Sequence, residues 1–132
     1  MTPEIQRLLE TTIDSFEKLE IVRSLWRTDG AAWSIDRLAE RVGTSSDHMG
    51  PSLEELAAEG LLCPTRDHAY TAVKSHVRAT SITQLLELYE RDPLVVMRVI
   101  NAIAVRRIRA MAARTFADSF LMRRPRRADD DG

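Results

Sequence analysis

SIDRLAERVGTSSDHMGPSLEELAAEGLL, residues 34–62, holds two helix-length apolar patterns separated by a short turn. Ser34 stands where an N-cap belongs, just ahead of the series Ile35, Leu38, Ala39 and Val42 on one helical face. Gly43 follows that series, at the place where a left-handed residue closes a helix. Thr44, Ser45 and Ser46 form a tight turn, and Met49, Leu53, Leu56 and Ala57 make the inner face of a second helix ending at Gly60. Gly50-Pro51 conflicts with that second helix. Pro51 lacks an N–H and disfavours helical geometry at Gly50, which predicts a kink or a start later than Ser46.

On the N-terminal side, Thr2 and Pro3 read as N-cap and first helical residue, followed by Ile5, Leu8 and Leu9. Asp14 and Glu17 have the spacing of a capping box, and Phe16, Leu19, Val22, Leu25 and Trp26 continue as an amphipathic helix that Asp29-Gly30 ends. Residues 31–33 suit a minor strand. On the C-terminal side, 61–63 and 69–72 are expected strands joined by a hairpin loop at 64–68. A helix is expected over 81–91, with Ile82, Leu85, Leu86 and Tyr89 packing inward. Asp92-Pro93 then starts a long helix over 94–120. The stretch RRPRRADDDG has no apolar periodicity, so 123–132 is expected to be a disordered tail.

The chain has 132 residues, one domain by size and enough to bury a core. Hydrophobic residues at 44% and charged residues at 30% fit a globular protein, and only 5% aromatics favour an aliphatic, helical core. The single Cys63 permits no internal disulfide and no thiolate cluster, which suits a cytoplasmic setting. The N-terminus carries no basic segment followed by an apolar run. The longest apolar run, LVVMRVINAIAV, is broken by Arg98 and falls short of the roughly 20 residues of a membrane span, so no membrane insertion is expected. Net charge is −1, but it is unevenly placed. Residues 1–93 carry ten basic and sixteen acidic side chains, whereas 94–132 carry nine Arg and four Asp.

The segments SIDRLAERVG, TSS and LEELAAEGLL, with the hairpin ending AYTA, resemble the winged helix-turn-helix domains of small bacterial transcriptional regulators of the MarR-like kind. The likeness covers about 40 residues and rests on core positions rather than a chemical signature. It implies a mainly α fold: a winged helix-turn-helix with a short β-hairpin wing at 31–78, N-terminal helices packing on the core at 1–30, and C-terminal helices at 79–122. It also implies binding of double-stranded DNA and a homodimer formed through the terminal helices, the function of a transcriptional regulator.

The candidate contacts follow from that geometry. Ser45, Ser46, His48 and Ser52 lie near the start of the second helix, where side chains of this fold reach base edges or phosphates. Yet Asp47, Glu54, Glu55 and Glu59 share the helix and no Lys or Arg does, so the usual phosphate-neutralising term is missing there. Arg66 and His68 sit at the hairpin tip, with Lys74, His76 and Arg78 just beyond. In the last helix, Met97, Ile100, Ala104, Ile108, Met111 and Thr115 cluster on one side. Arg98, Arg106, Arg107, Arg109 and Arg114 fall on the opposite half. Arg106 and Arg107 are therefore candidates for phosphate contact. The acidic helix leaves a second reading open, a winged-helix module that docks a basic protein partner and does not read DNA. Ordinary solvated charge is the third.

Catalytic signals are weak. His48, His68 and His76 have no ligand spacing, so neither a metal nor another cofactor is expected. Cys63, beside Leu62 in a strand, is expected to be buried rather than nucleophilic. Adjacent Glu54 and Glu55 point to different sides of a helix, poor geometry for a paired acid and base. An enzyme is not expected.

Overall fold

The computed structural model describes residues 1–28 and 30–131, and side chains as far as residue 120. The expected breaker Asp29 lies outside the described residues. The element order is α1 (Pro3–Thr11), α2 (Phe16–Trp26), β1 (Trp33–Ser34), α3 (Ile35–Val42), α4 (Ser46–Ala58), β2 (Leu62–Pro64), β3 (Ala69–Ala72), α5 (Ala79–Arg91) and α6 (Pro93–Asp131). The chain is mainly helical with one three-stranded antiparallel sheet in the order β1-β3-β2. It divides into two compact units, Met1–Ile100 and Asn101–Gly132.

Local chemistry sets most of the helix boundaries. Thr2 caps α1 by accepting the Ile5 N–H at 3.2 Å, and Pro3 opens the helix. Ser34 caps α3 through the Arg37 N–H at 3.1 Å. Gly43 closes α3 at φ 88°, while the N–H groups of Gly43 and Thr44 both bond the Ala39 carbonyl. Gly60 has the same left-handed form, φ 83°, and Leu61 N–H returns to the Leu56 carbonyl at 3.0 Å.

Several boundaries differ from expectation. α2 is capped by Ser15, not by an Asp14–Glu17 box: the Ser15 hydroxyl accepts the Lys18 N–H at 3.1 Å. Asp14 is drawn instead to the Lys18 ammonium, 2.9 Å away. α4 starts at Ser46 and continues through Pro51, because Ser45 caps it by accepting the His48 N–H at 3.1 Å. α5 starts at Ala79, two residues before the expected Ser81. The first strand is Trp33–Ser34 rather than 31–33, since Trp33 pairs with Tyr70 and Ser34 with Ala69. In α6, the backbone of 123–131 continues the helix where a disordered end was expected; the side chains there, and all of Gly132, lie outside the description.

The core of Met1–Ile100 is aliphatic. Leu8, Leu9 and Ile13 from the N-terminal segment, Leu19, Val22 and Leu25 of α2, Leu38 of α3 and Met49, Leu53 and Leu56 of α4 are buried, with Ile82 and Leu85 of α5. Each such side chain contributes about 1.5–3 kcal/mol on removal from water. α1 packs on α5, and α2 packs on α3, α4 and β3. Strand alternation accounts for one reversal. Leu62 faces the core, so the next residue, Cys63, points to the opposite face and is exposed. Phe16 also departs from its expected core role. It is 41% exposed and meets Tyr89 edge-on at 6.0 Å. At the start of α6, Val96 and Ile100 are buried, whereas Leu94 is exposed.

Candidate nucleic-acid interface

The polar side chains singled out at the start of α4 are engaged by the protein itself. Ser45 is the N-cap, and the Ser46 hydroxyl donates to the Asp36 carboxylate. The Glu17 carboxylate of α2 takes the next two. Ser52, which is buried, donates its hydroxyl to Glu17 Oε2 at 2.7 Å, and His48 Nδ1 lies 3.1 Å from Glu17 Oε1. Glu17 was not foreseen in this role, and no local pattern points to it across 31 and 35 residues. The His48 ring remains largely exposed.

Beside His48, the outward surface of α4 is mainly acidic: Asp47, Pro51, Glu54, Glu55 and Glu59 are exposed. Two of these acids have partners. Glu55 pairs with Lys18, and Glu59 Oε2 lies 3.1 Å from the Arg78 guanidinium. Lys18 is the buried cation of a triad with Asp14 and Glu55, which ties α2 to α4. Burial works to lower its pKa. The hydrogen bonds and charges of Glu55 and Asp14 outweigh that, and the net shift is upward from 10.5.

The loop between β2 and β3 carries Arg66 and Asp67 side by side. Thr65 N–H bonds the Ala69 carbonyl at 2.7 Å, and Arg66, Asp67 and His68 form the exposed tip. His68 adopts φ 55°, a left-handed conformation uncommon outside glycine. After β3, Lys74 is exposed, but His76 and Arg78 turn inward. His76 Nδ1 accepts the Arg78 N–H at 3.0 Å, which leaves the ring proton on Nε2 to donate to the Glu59 carbonyl at 3.1 Å. The Arg78 guanidinium bonds Thr12 Oγ1 as well as Glu59. Arg78 thus joins the end of α1 to the end of α4, and its expected DNA contact would require breaking both bonds.

In the unit Asn101–Gly132, every described residue except Ile103 is exposed. Arg106, Arg107, Arg109 and Arg114 are among them, against a single acid, Asp118, up to residue 120. Val105, Ile108, Met111, Phe116 and Phe120 are also exposed, between 45% and 74%. The expected division into an apolar side and a basic half does not hold: at 100° per residue Arg107 and Arg114 lie within about 60° of Met111, and Val105, Phe116 and Phe120 fall beside Arg109, so basic and apolar side chains are interleaved around this segment.

Of the ten candidate positions, Ser45, Ser46, His48, Ser52 and Arg78 make the hydrogen bonds given above, of which only Ser52 is buried; Arg66, His68, Lys74, Arg106 and Arg107 are exposed, as are Ser45 and His48. Among the described residues no group of His, Cys, Asp and Glu is arranged to hold a metal ion, and no helix is long and apolar enough to cross a membrane. Comparison with protein-family models, with curated proteins and with solved structures found no match.

Proposed function

We propose that this chain is a winged-helix transcriptional regulator that holds double-stranded DNA through arginine contacts to phosphates, with α4 serving as a structural helix rather than a reader of bases. The element order α2-β1-α3-α4-β2-β3 supports the winged-helix reading, with α3 and α4 as the helix-turn-helix and β2–β3 as the wing. The observation that carries the function is the exposed series Arg106, Arg107, Arg109 and Arg114 on one helix with a single nearby acid. Clustered guanidinium groups displace condensed counterions from a duplex, the main source of sequence-independent affinity. Arg66 and His68 at the hairpin tip supply a separate basic contact of the kind that enters a minor groove. The exposed Val105, Ile108 and Met111, neighbours at three-residue steps along the helix, favour a homodimer in which a second copy covers them.

The inward-turned serines of α4 and its exposed Asp47 and Glu54 support a different second reading, a winged-helix module that docks a basic protein. Titration of a labelled random-sequence duplex with the full chain separates the two. DNA binding predicts affinity that falls steeply between about 50 and 200 mM salt. No binding at the lower salt sinks the first reading and favours the second.

A further inference from the structure

A cavity of about 450 Å³ in the unit Met1–Ile100 is walled by Trp26 at the end of α2 and by an α5 face bearing Thr83, Leu86 and Glu87. That volume lies in the range of small-ligand sites. The two cations of the wall are committed within the protein: Arg27 pairs with Glu90, and Lys74 has an interaction of its own. Glu87 is the acid of the wall without an ion pair among the described residues. Thr83 precedes it by one helical turn, so the two side chains are neighbours on one face of α5. Elsewhere, Thr11 and Ser24 turn their hydroxyls back on carbonyls of their own helices, at 2.7 and 2.8 Å. The Thr83 hydroxyl makes no such bond, nor one to any other described residue. A carboxylate and a hydroxyl side by side, both able to accept, suit a group with several N–H donors. The buried Leu86 and the half-buried Trp26 add an apolar part to the same wall.

We infer that this cavity binds a primary amine with an apolar body, of the arylalkylamine class. Its ammonium donates to the Glu87 carboxylate and the Thr83 hydroxyl, and its hydrocarbon part covers Leu86 and Trp26. An aromatic body suits the Trp26 ring. Such an amine keeps its charge at pH 7, as a lysine does. A quaternary ammonium has no N–H to give to the two acceptors. A carboxylate on the ligand would find Arg27 and Lys74 already engaged, so a simple amine fits better than an amino acid. The inference does not depend on DNA binding.

Calorimetric titration of the full chain at pH 7 with 2-phenylethylamine and with 2-phenylethanol, which carries a neutral hydroxyl in place of the ammonium, tests this. Saturable binding of the amine is expected below about 1 mM, with the alcohol about tenfold weaker. Glu87→Gln should weaken the amine about tenfold and narrow the difference between amine and alcohol to below about twofold. Thr83→Val, which keeps the shape and removes the hydroxyl, should weaken the amine about threefold. Thr83→Trp, which fills the cavity, should abolish binding, with circular dichroism verifying that each variant is folded. No heat with the amine up to about 5 mM would overturn the inference, as would equal affinity for amine and alcohol or unaltered amine binding by folded Glu87→Gln.

Discussion

The buried hydroxyl of Ser52 donates a 2.7 Å hydrogen bond to Glu17, a residue of a different helix 35 positions earlier. Ser52 shares the inner face of α4 with buried Met49 and Leu56, so this bond satisfies a hydroxyl that helix position has already taken from solvent. Ser52→Ala leaves Glu17 its contact with His48 and should cost about 1 kcal/mol. Glu17→Ala strands the buried hydroxyl as well and should cost about 2 kcal/mol. Urea denaturation reads both. Neither variant should alter affinity for duplex DNA, and a drop of tenfold or more for folded Ser52→Ala would return α4 to a role in base contact.

Alkaline pH should weaken the fold through two groups. The Tyr89 hydroxyl is buried and donates to Glu20 Oε1 at 2.8 Å; burial first, then that hydrogen bond and the Glu20 charge, push its pKa up from 10 to about 12, against a smaller opposing effect of Arg23. The folded state therefore favours the protonated phenol. Its contribution is complete below pH 10 and is lost as pH rises toward about 12. The raised pKa of Lys18 acts in the same direction, its contribution being complete below 10.5 and lost above the higher folded value. Thermal melts from pH 8 to pH 11 should show stability declining above about pH 10, and Tyr89→Phe should make that decline shallower. An unchanged slope in Tyr89→Phe would remove Tyr89 from the explanation.

Two glycines with nearly the same backbone conformation should respond differently to alanine. Gly43 has φ 88° and open space around an added Cβ, so Gly43→Ala carries only the left-handed penalty, about 1 kcal/mol. At Gly60, φ 83°, the added carbon would lie 3.2 Å from the His76 ring, which is held between Glu59 and Arg78. Gly60→Ala should therefore cost about 1 kcal/mol more than Gly43→Ala in chemical denaturation. Equal losses would show that His76 shifts freely.

The proposed homodimer rests on the exposed Val105, Ile108 and Met111 of α6. Ile108→Asp places a charge beside the exposed Val105 and Met111, and should shift sedimentation from dimer to monomer. Because Ile108 is 66% exposed in the single chain, the melting temperature of the monomer should hardly move. A monomeric wild-type chain at about 100 μM would contradict the dimer.

Caps and turns were legible in the sequence where one or two neighbouring residues decide them. Thr2, Ser34 and Gly43 act within a single helical turn of their own positions, and β3 at Ala69–Ala72 lies where its residue types suggest. Asp14 and Ser15 compete for the same cap, and the choice depends on Lys18, which Glu55 holds from another helix. The ties Glu17–Ser52 and Arg78–Thr12 join residues far apart in sequence, and no periodicity encodes them. They are also what turns the Ser52 hydroxyl and the Arg78 guanidinium away from any ligand. The exposure of Arg106 and Arg107 agrees with the charge pattern of the sequence, since long charged side chains on a helix surface stay in water.

Duplex binding by Arg106→Gln/Arg107→Gln, measured across a salt series beside the wild type, bears most directly on phosphate contact by α6. Loss of two phosphate contacts should reduce the slope of log affinity against log salt by about 1.8 and weaken binding alike on unrelated duplex sequences. A wild-type slope in the folded variant, or no binding by the wild type at low salt, would contradict it.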